Sequence, residues 1–90
     1  MKHIIVLGYK IPITYKLAGD IDGQYHPDTR KIEINPNSTS EIGAIIFHET
    51  LHAILDISAA NEGLSEEVEE RIVRAIENGM WPLLKNMVDK

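Results

Sequence analysis

The stretch IIFHETLHAIL, residues 45–55, constrains this chain more than any other. It puts His48, Glu49 and His52 inside the most apolar segment of the sequence. Cap chemistry precedes it: PNSTS stops the preceding segment, and Ser38 with Glu41 matches an S-x-x-E capping box, with Ser40 as a rival cap. A helix from about Ser40 to Asp56 follows. At 100° per residue, His48, Glu49, His52 and Asp56 fall on one polar stripe, while Phe47, Leu51 and Ile54 cover the opposite side. Ile42, Ile46 and Ala53 fill a third side. Such a helix is apolar nearly all round. Its ionisable stripe is costly to bury unless something satisfies it.

Two histidines four apart lie one turn above each other on one helix face. That spacing lets both imidazoles reach one Zn²⁺, and a glutamate after the first can serve as general base toward a bound water. Shuffling this composition yields about 0.02 H-E-x-x-H matches per chain, so coincidence is a weak explanation. The expected ligands are His48 and His52, with Glu49 as the catalytic base. Asp56, one turn after His52, is placed to accept a hydrogen bond from an imidazole N–H. Facing water as a helix-end residue is an equal alternative.

A catalytic zinc site needs a third protein ligand. Position 58 is Ser58, so a histidine six residues after His52 is ruled out. Cysteine is absent from the chain, which removes thiolate ligation and disulfides alike. The acid-rich run GLSEEVEERIVRAIENG, residues 63–79, offers Glu66, Glu67, Glu69 and Glu70. Leu64, Val68, Ile72 and Ile76 form its apolar stripe. Glu69 borders that stripe, and Glu70, opposite to it, is expected to face solvent. Glu66 and Glu67 lie in the first turn, where the helix dipole favours them.

The remainder reads as an α+β domain spanning residues 1–90, with a strand-rich half (1–37) and a helical half (38–90). HIIVL (3–7) reads as a strand, and KIPITYKL (10–17) and RKIEIN (30–35) alternate with strand period. About three antiparallel strands are expected, with the Gly- and Asp-rich 18–29 as a loop or irregular hairpin connection. The second helix opens near Leu64 with Ser65 as cap and stops at Asn78-Gly79, before a short last helix over 81–88. Trp81 is expected to plug a helix junction. Tyr25 and His26 read mainly as surface loop residues, with a lesser chance of helping to stabilise an oxyanion. The strand KIEIN is a candidate to pair with an extended peptide, if its edge is free.

A net charge of −5 without any Lys/Arg run argues against nucleic-acid binding. The four-residue apolar run near the N-terminus is too short for a membrane span, and the cytoplasm is the default location.

The segments IIFHETLHAILD and GLSEEVEERIVRAIENGMWPLLKN, with YHPDTRKIEIN upstream, resemble very small HExxH proteins of the gluzincin type. These include minigluzincins and many phage- or prophage-encoded metallopeptidases. The resemblance covers residues 9–86 and implies a zincin-like fold: a small sheet, an HExxH helix and a glutamate-bearing helix. It implies Zn²⁺ held by His48, His52 and Glu67, the best match to the L-S-E-E opening, with Glu66 second. It also implies peptide-bond hydrolysis with a peptide or protein as substrate. The competing expectation is a non-catalytic zinc-binding interaction or regulatory protein on a peptidase-like scaffold, since ninety residues leave little material for a deep cleft. A weaker one is a peptidase-like module attached to a DNA-binding partner chain.

Overall fold

The computed structural model describes residues 2–88. The fold is α+β: a four-stranded sheet followed by two helices. The strands are β1 (Lys2–Val6), β2 (Tyr9–Thr14), β3 (Gly23–His26) and β4 (Lys31–Ile34). The helices are α1 (Ile42–Ile57) and α2 (Glu66–Val88).

Strand order is β1-β2-β4-β3. β1 and β2 form an antiparallel hairpin with Ile4 opposite Ile11, and β3 and β4 form a second with Tyr25 opposite Ile32. The two hairpins join through a parallel pairing of β2 with β4, so the sheet is mixed rather than antiparallel. The chain leaves β2, runs past the centre to the far edge as β3, and returns as β4. Asn35 secures that excursion. Buried at the end of β4, it donates through Nδ2 to the carbonyls of Gly19 and Ile21, both at 3.1 Å, and its own N–H bonds Asp22 O at 2.8 Å.

β3 falls in the segment expected to be a loop or irregular hairpin connection, and it forms a regular antiparallel pair with β4. Gly-Gln-Tyr-His has one large apolar residue, so no hydrophobic alternation betrays it. Tyr25 alone faces the core, and the strand is held by its ladder with β4. β4, the KIEIN strand, lies in the middle of the sheet. It has no edge to offer a peptide; that edge belongs to β3.

Strand alternation sets the core. Ile11, Ile13, Ile32 and Ile34 point to one face with Val6 and Tyr25, and meet Ile45 and Ala53 of α1. Among the described residues, α1 packs on β1, β3 and β4 with one side and on α2 with another, whereas α2 packs on α1 and no strand. α1 is therefore the middle layer. The helix is less enclosed than its apolar sequence suggests: Ile42 and Ile54 are exposed, and the buried line is Ile45, Glu49 and Ala53.

The first helix begins at Ile42 with Glu41 as N-cap and no side-chain capping bond, so the Ser38–Glu41 box does not form. Ser38 instead donates to Asp22 at 2.6 Å and Ser40 donates to the same carboxylate at 3.2 Å. Ser65 caps α2 as expected, its Oγ accepting from Val68 N at 3.2 Å. α2 continues through Gly79 and Pro82 as one helix. Trp81 docks over Gly43, its ring 5.9 Å from that of Phe47, and Lys85 pairs with Glu41 at 3.0 Å. These contacts with α1 offset the local cost of the glycine and proline, about 1 and 3 kcal/mol in a helix interior.

Gly23 is where the β3 edge meets α1. A Cβ there would lie 2.5 Å from Ile45 Cγ2 and 3.3 Å from Glu49 Cγ. Gly23→Ala should push α1 off the strand and cost about 1–3 kcal/mol, as overpacking does. Urea unfolding of the two proteins measures it; an unchanged midpoint would show that the contact is loose.

Candidate metal centre

α1 presents His48 and His52 toward α2, one turn apart, with ring centroids 5.1 Å apart. Glu70 of α2 reaches between them. Its Oε1 lies 2.8 Å from His48 Nε2 and its Oε2 lies 3.1 Å from His52 Nε2. One donor atom from each of His48, His52 and Glu70 lies within 4.8 Å of the other two. The second helix thus supplies a carboxylate, as expected, but from Glu70. Glu67 is on the solvent side, 84% exposed and paired at 3.4 Å with Arg71, and Glu66 is also exposed. The apolar stripe misjudges the orientation: Leu64 and Val68 are exposed, and the residue buried against α1 is Val73. Glu70 and Glu77 flank Val73 at the i−3 and i+4 positions and so share its side.

The outer nitrogens are held as well. His48 Nδ1 lies 2.6 Å from Glu77 Oε1, and His52 Nδ1 lies 2.6 Å from Glu69 Oε2. Glu69 is itself fixed by Asn61, which donates to its Oε1 at 2.9 Å. Neither Glu77 nor the pairing of Glu69 with an imidazole is foreseen from the sequence; the i, i+7 spacing of Glu70 and Glu77 is the signal that would have found the former.

This geometry tests the fit of a cation. A neutral imidazole carries one N–H. If Nδ1–H serves Glu77 or Glu69, each Nε2 turns a lone pair toward Glu70. Lone pairs of two nitrogens and a carboxylate converging on one point need either extra protons or a cation between them. The donor set, two imidazoles and one carboxylate, is that of a catalytic zinc site, and carboxylates on the far imidazole nitrogens orient and strengthen such ligands. The residues present fit the ion.

Glu49 lies on the sheet side of the same stripe. It is buried, and its Oε1 accepts the backbone N–H of Tyr25 at 2.9 Å. Burial raises its carboxyl above the usual range, against the opposing pull of His48, His52 and the Tyr25 amide. Burial also pushes Glu70 up, but His48, Arg74 and His52 outweigh it and hold that carboxyl below its ordinary value. Asp56 does not serve an imidazole. It accepts the Tyr25 hydroxyl at 2.7 Å. Tyr25 is buried rather than a surface loop residue, and burial with the Asp56 bond raises its phenol above the ordinary range. His26 points to the other face of the sheet, 2.6 Å from Glu33, and takes no part.

Two cavities flank the cluster and share Gly23, Glu49 and Glu70. One, of about 470 Å³, lies on the His52 side and is walled by Tyr25, Asp56, Leu64 and Glu69. The other, of about 640 Å³, lies on the His48 side against Asp22, Ala44, Arg74 and Glu77. Together they make a groove bordered by the β3 edge. No helix of the described residues is long and apolar enough to cross a membrane.

No protein-family profile matches the chain, and no curated protein or solved structure is significantly similar to it.

The geometry separates two glutamates three residues apart. After incubation with Zn²⁺ and removal of excess, Glu70→Ala should carry far less metal than Glu67→Ala, which should keep about one ion per chain, the ratio of a single three-ligand site. Elemental mass spectrometry on untagged protein checks both. Equal zinc loss in the two variants would return the ligand role to the first turn of α2.

Proposed function

We propose that this protein is a zinc-dependent metallopeptidase of the gluzincin type, with His48, His52 and Glu70 as metal ligands and Glu49 as general base. The observation that carries the reading is the convergence of the three donor atoms beside a buried carboxylate, at the floor of an open groove.

When bound by these residues, a zinc ion would supply a water acidified to a pKa of about 7 and a Lewis acid for the scissile carbonyl. The chain's own residues do the rest. Glu77 and Glu69 keep the imidazole Nε2 atoms turned inward. Glu49 lies next to His48 on the same helical turn as the histidine pair, and its raised carboxyl suits a group that takes a proton from water and returns it to the leaving amine. The Tyr25 amide holds one Glu49 oxygen and leaves the other free to accept a proton. An extended substrate strand fits the free edge of β3, where main-chain pairing gives affinity without demanding one sequence.

The alternative is a zinc-binding interaction protein without catalysis. One substitution separates the two. Glu49→Gln keeps shape and the Tyr25 hydrogen bond but cannot accept a proton. It should retain zinc and lose hydrolysis by at least about a hundredfold. Cleavage of a fluorogenic peptide mixture beside metal content reads both; a zinc-loaded parent that cleaves nothing would favour the interaction protein.

A further inference from the structure

One apolar stripe is left over once the core and the metal centre are built. Along α2, Val68, Ile72, Ile76, Met80, Leu83 and Met87 recur three, four or seven residues apart. At 100° per residue they fall within about 120° of one another. Val73 takes the contact with α1 instead, and none of the six lines either cavity beside the histidines. Leu83 is 58% exposed and Met87 65%, Val68 and Met80 are exposed as well, and Ile72 and Ile76 are half-buried. α2 packs on no strand, so among the described residues no element of the sheet covers this face. From Val68 to Met87 the stripe runs about 28 Å along the helix. Apolar surface that continuous marks an interaction face rather than scattered exposure.

Gly79 is a second observation, independent of the first. It lies inside the same arc, in helical backbone and without a positive φ. A Cβ there would meet no other atom within 4 Å. The fold of one chain therefore has no turn and no close contact that asks for glycine, although alanine would favour the helix. A helical glycine on an apolar face has a use when another backbone comes close.

Charge says which partner fits. The opening of α2 carries Glu66, Glu67, Glu69 and Glu70, whereas Lys85 is the one charged residue between 78 and 88. The helix thus has an acidic N-terminal end and a basic C-terminal end. Two copies laid antiparallel set each acidic end beside the Lys85 end of the other, and their helix dipoles oppose; a parallel pair would stack acid on acid. Val68 of one copy then lies opposite Met87 of the other, Ile72 lies opposite Leu83, and Gly79 sits near the crossing point. An anionic membrane surface fits less well, because the polar face of an interfacial helix needs lysine and arginine and this one is rich in glutamate.

We propose that the Val68–Met87 stripe of α2 docks on the same stripe of a second copy of this chain, antiparallel and crossing at Gly79. Glu70 lies about 140° round the helix from Leu83, so pairing leaves the metal centre and its groove uncovered. The dimer does not depend on the peptidase reading.

Sedimentation equilibrium of the untagged chain tests it. A helix pair of this length buries on the order of 1,000 Å² in total, the low end for a specific interface, so mass should double with a midpoint on the order of 10–100 µM. Leu83→Glu should weaken association at least about tenfold, while Ile5→Glu, a change at an equally exposed residue of β1, should leave it unchanged. Gly79→Ala should raise the urea midpoint of the dilute monomer and still weaken the dimer, a pair of effects that helix propensity alone does not produce. Orientation is read from spin labels on Ala75→Cys and Asn86→Cys, since the chain has no cysteine of its own. In the antiparallel pair the two labels at 86 should lie on the order of 10 Å or more further apart than the two at 75. Equal separations at the two positions would overturn the proposal, as would tighter association of Gly79→Ala or equal weakening by Leu83→Glu and Ile5→Glu. A monomer at every concentration would also overturn it, and cosedimentation of that monomer with phosphatidylglycerol vesicles would assign the stripe to a membrane surface instead.

Discussion

The hydrogen bond from the Tyr25 amide to the Glu49 carboxylate ties the two halves of this molecule together. A carboxylate more than nine-tenths buried is expensive, and an unpartnered one would shift or break the packing around it. Placing that group between α1 and the β3 edge makes the helix choose one rotation. Ile45 and Ala53, a turn to either side, then fall into the sheet's core, and the two histidines are turned outward toward α2. Gly23 permits the approach because it has no side chain to interpose. The second anchor of Tyr25, its hydroxyl on Asp56, fixes the strand about two turns further along the same helix. One residue on a four-residue strand therefore sets both the height and the rotation of the helix that carries the metal-binding pair.

Between α1 and α2 the chemistry is reversed. That contact has one fully buried aliphatic side chain, Val73, and beyond it a layer of alternating acids and imidazoles. Each histidine meets one carboxylate through Nδ1 and shares Glu70 through Nε2. A layer of this kind has little hydrophobic area to stabilise it. It depends on charge matching, and the aromatic plug of Trp81 over Gly43 holds the far end of the two helices together.

What could be read in the sequence was what is local. His48, Glu49 and His52 belong to one turn of one helix, so their spacing fixes their mutual geometry. Ile11, Ile13, Ile32 and Ile34 alternate within single strands, and all four are buried. What escaped depends on partners distant in the chain. The rotation of α2 about its axis is set by Val73 and Trp81 against α1, and a stripe drawn through Leu64 and Val68 points elsewhere; Glu70 is hidden by that choice. The parallel pairing of β2 with β4 follows from the route of the 15–22 segment, pinned by Asn35, which has no hydrophobic signature. α2 crosses Gly79 and Pro82 because tertiary contacts beyond them outweigh local preference. The zincin-like resemblance pointed to Glu67, whereas the carboxylate that meets the two histidines is Glu70, one helical turn later.

α2 leans on α1 and on no strand among the described elements. The imidazoles of His48 and His52 sit on one side of that seam and the carboxylate of Glu70 on the other. An ion held among them would rivet the seam between two layers, and the free energy of binding it would also be free energy of closure. Scarcity of such an ion and opening of the second helix would then be the same event seen from two sides.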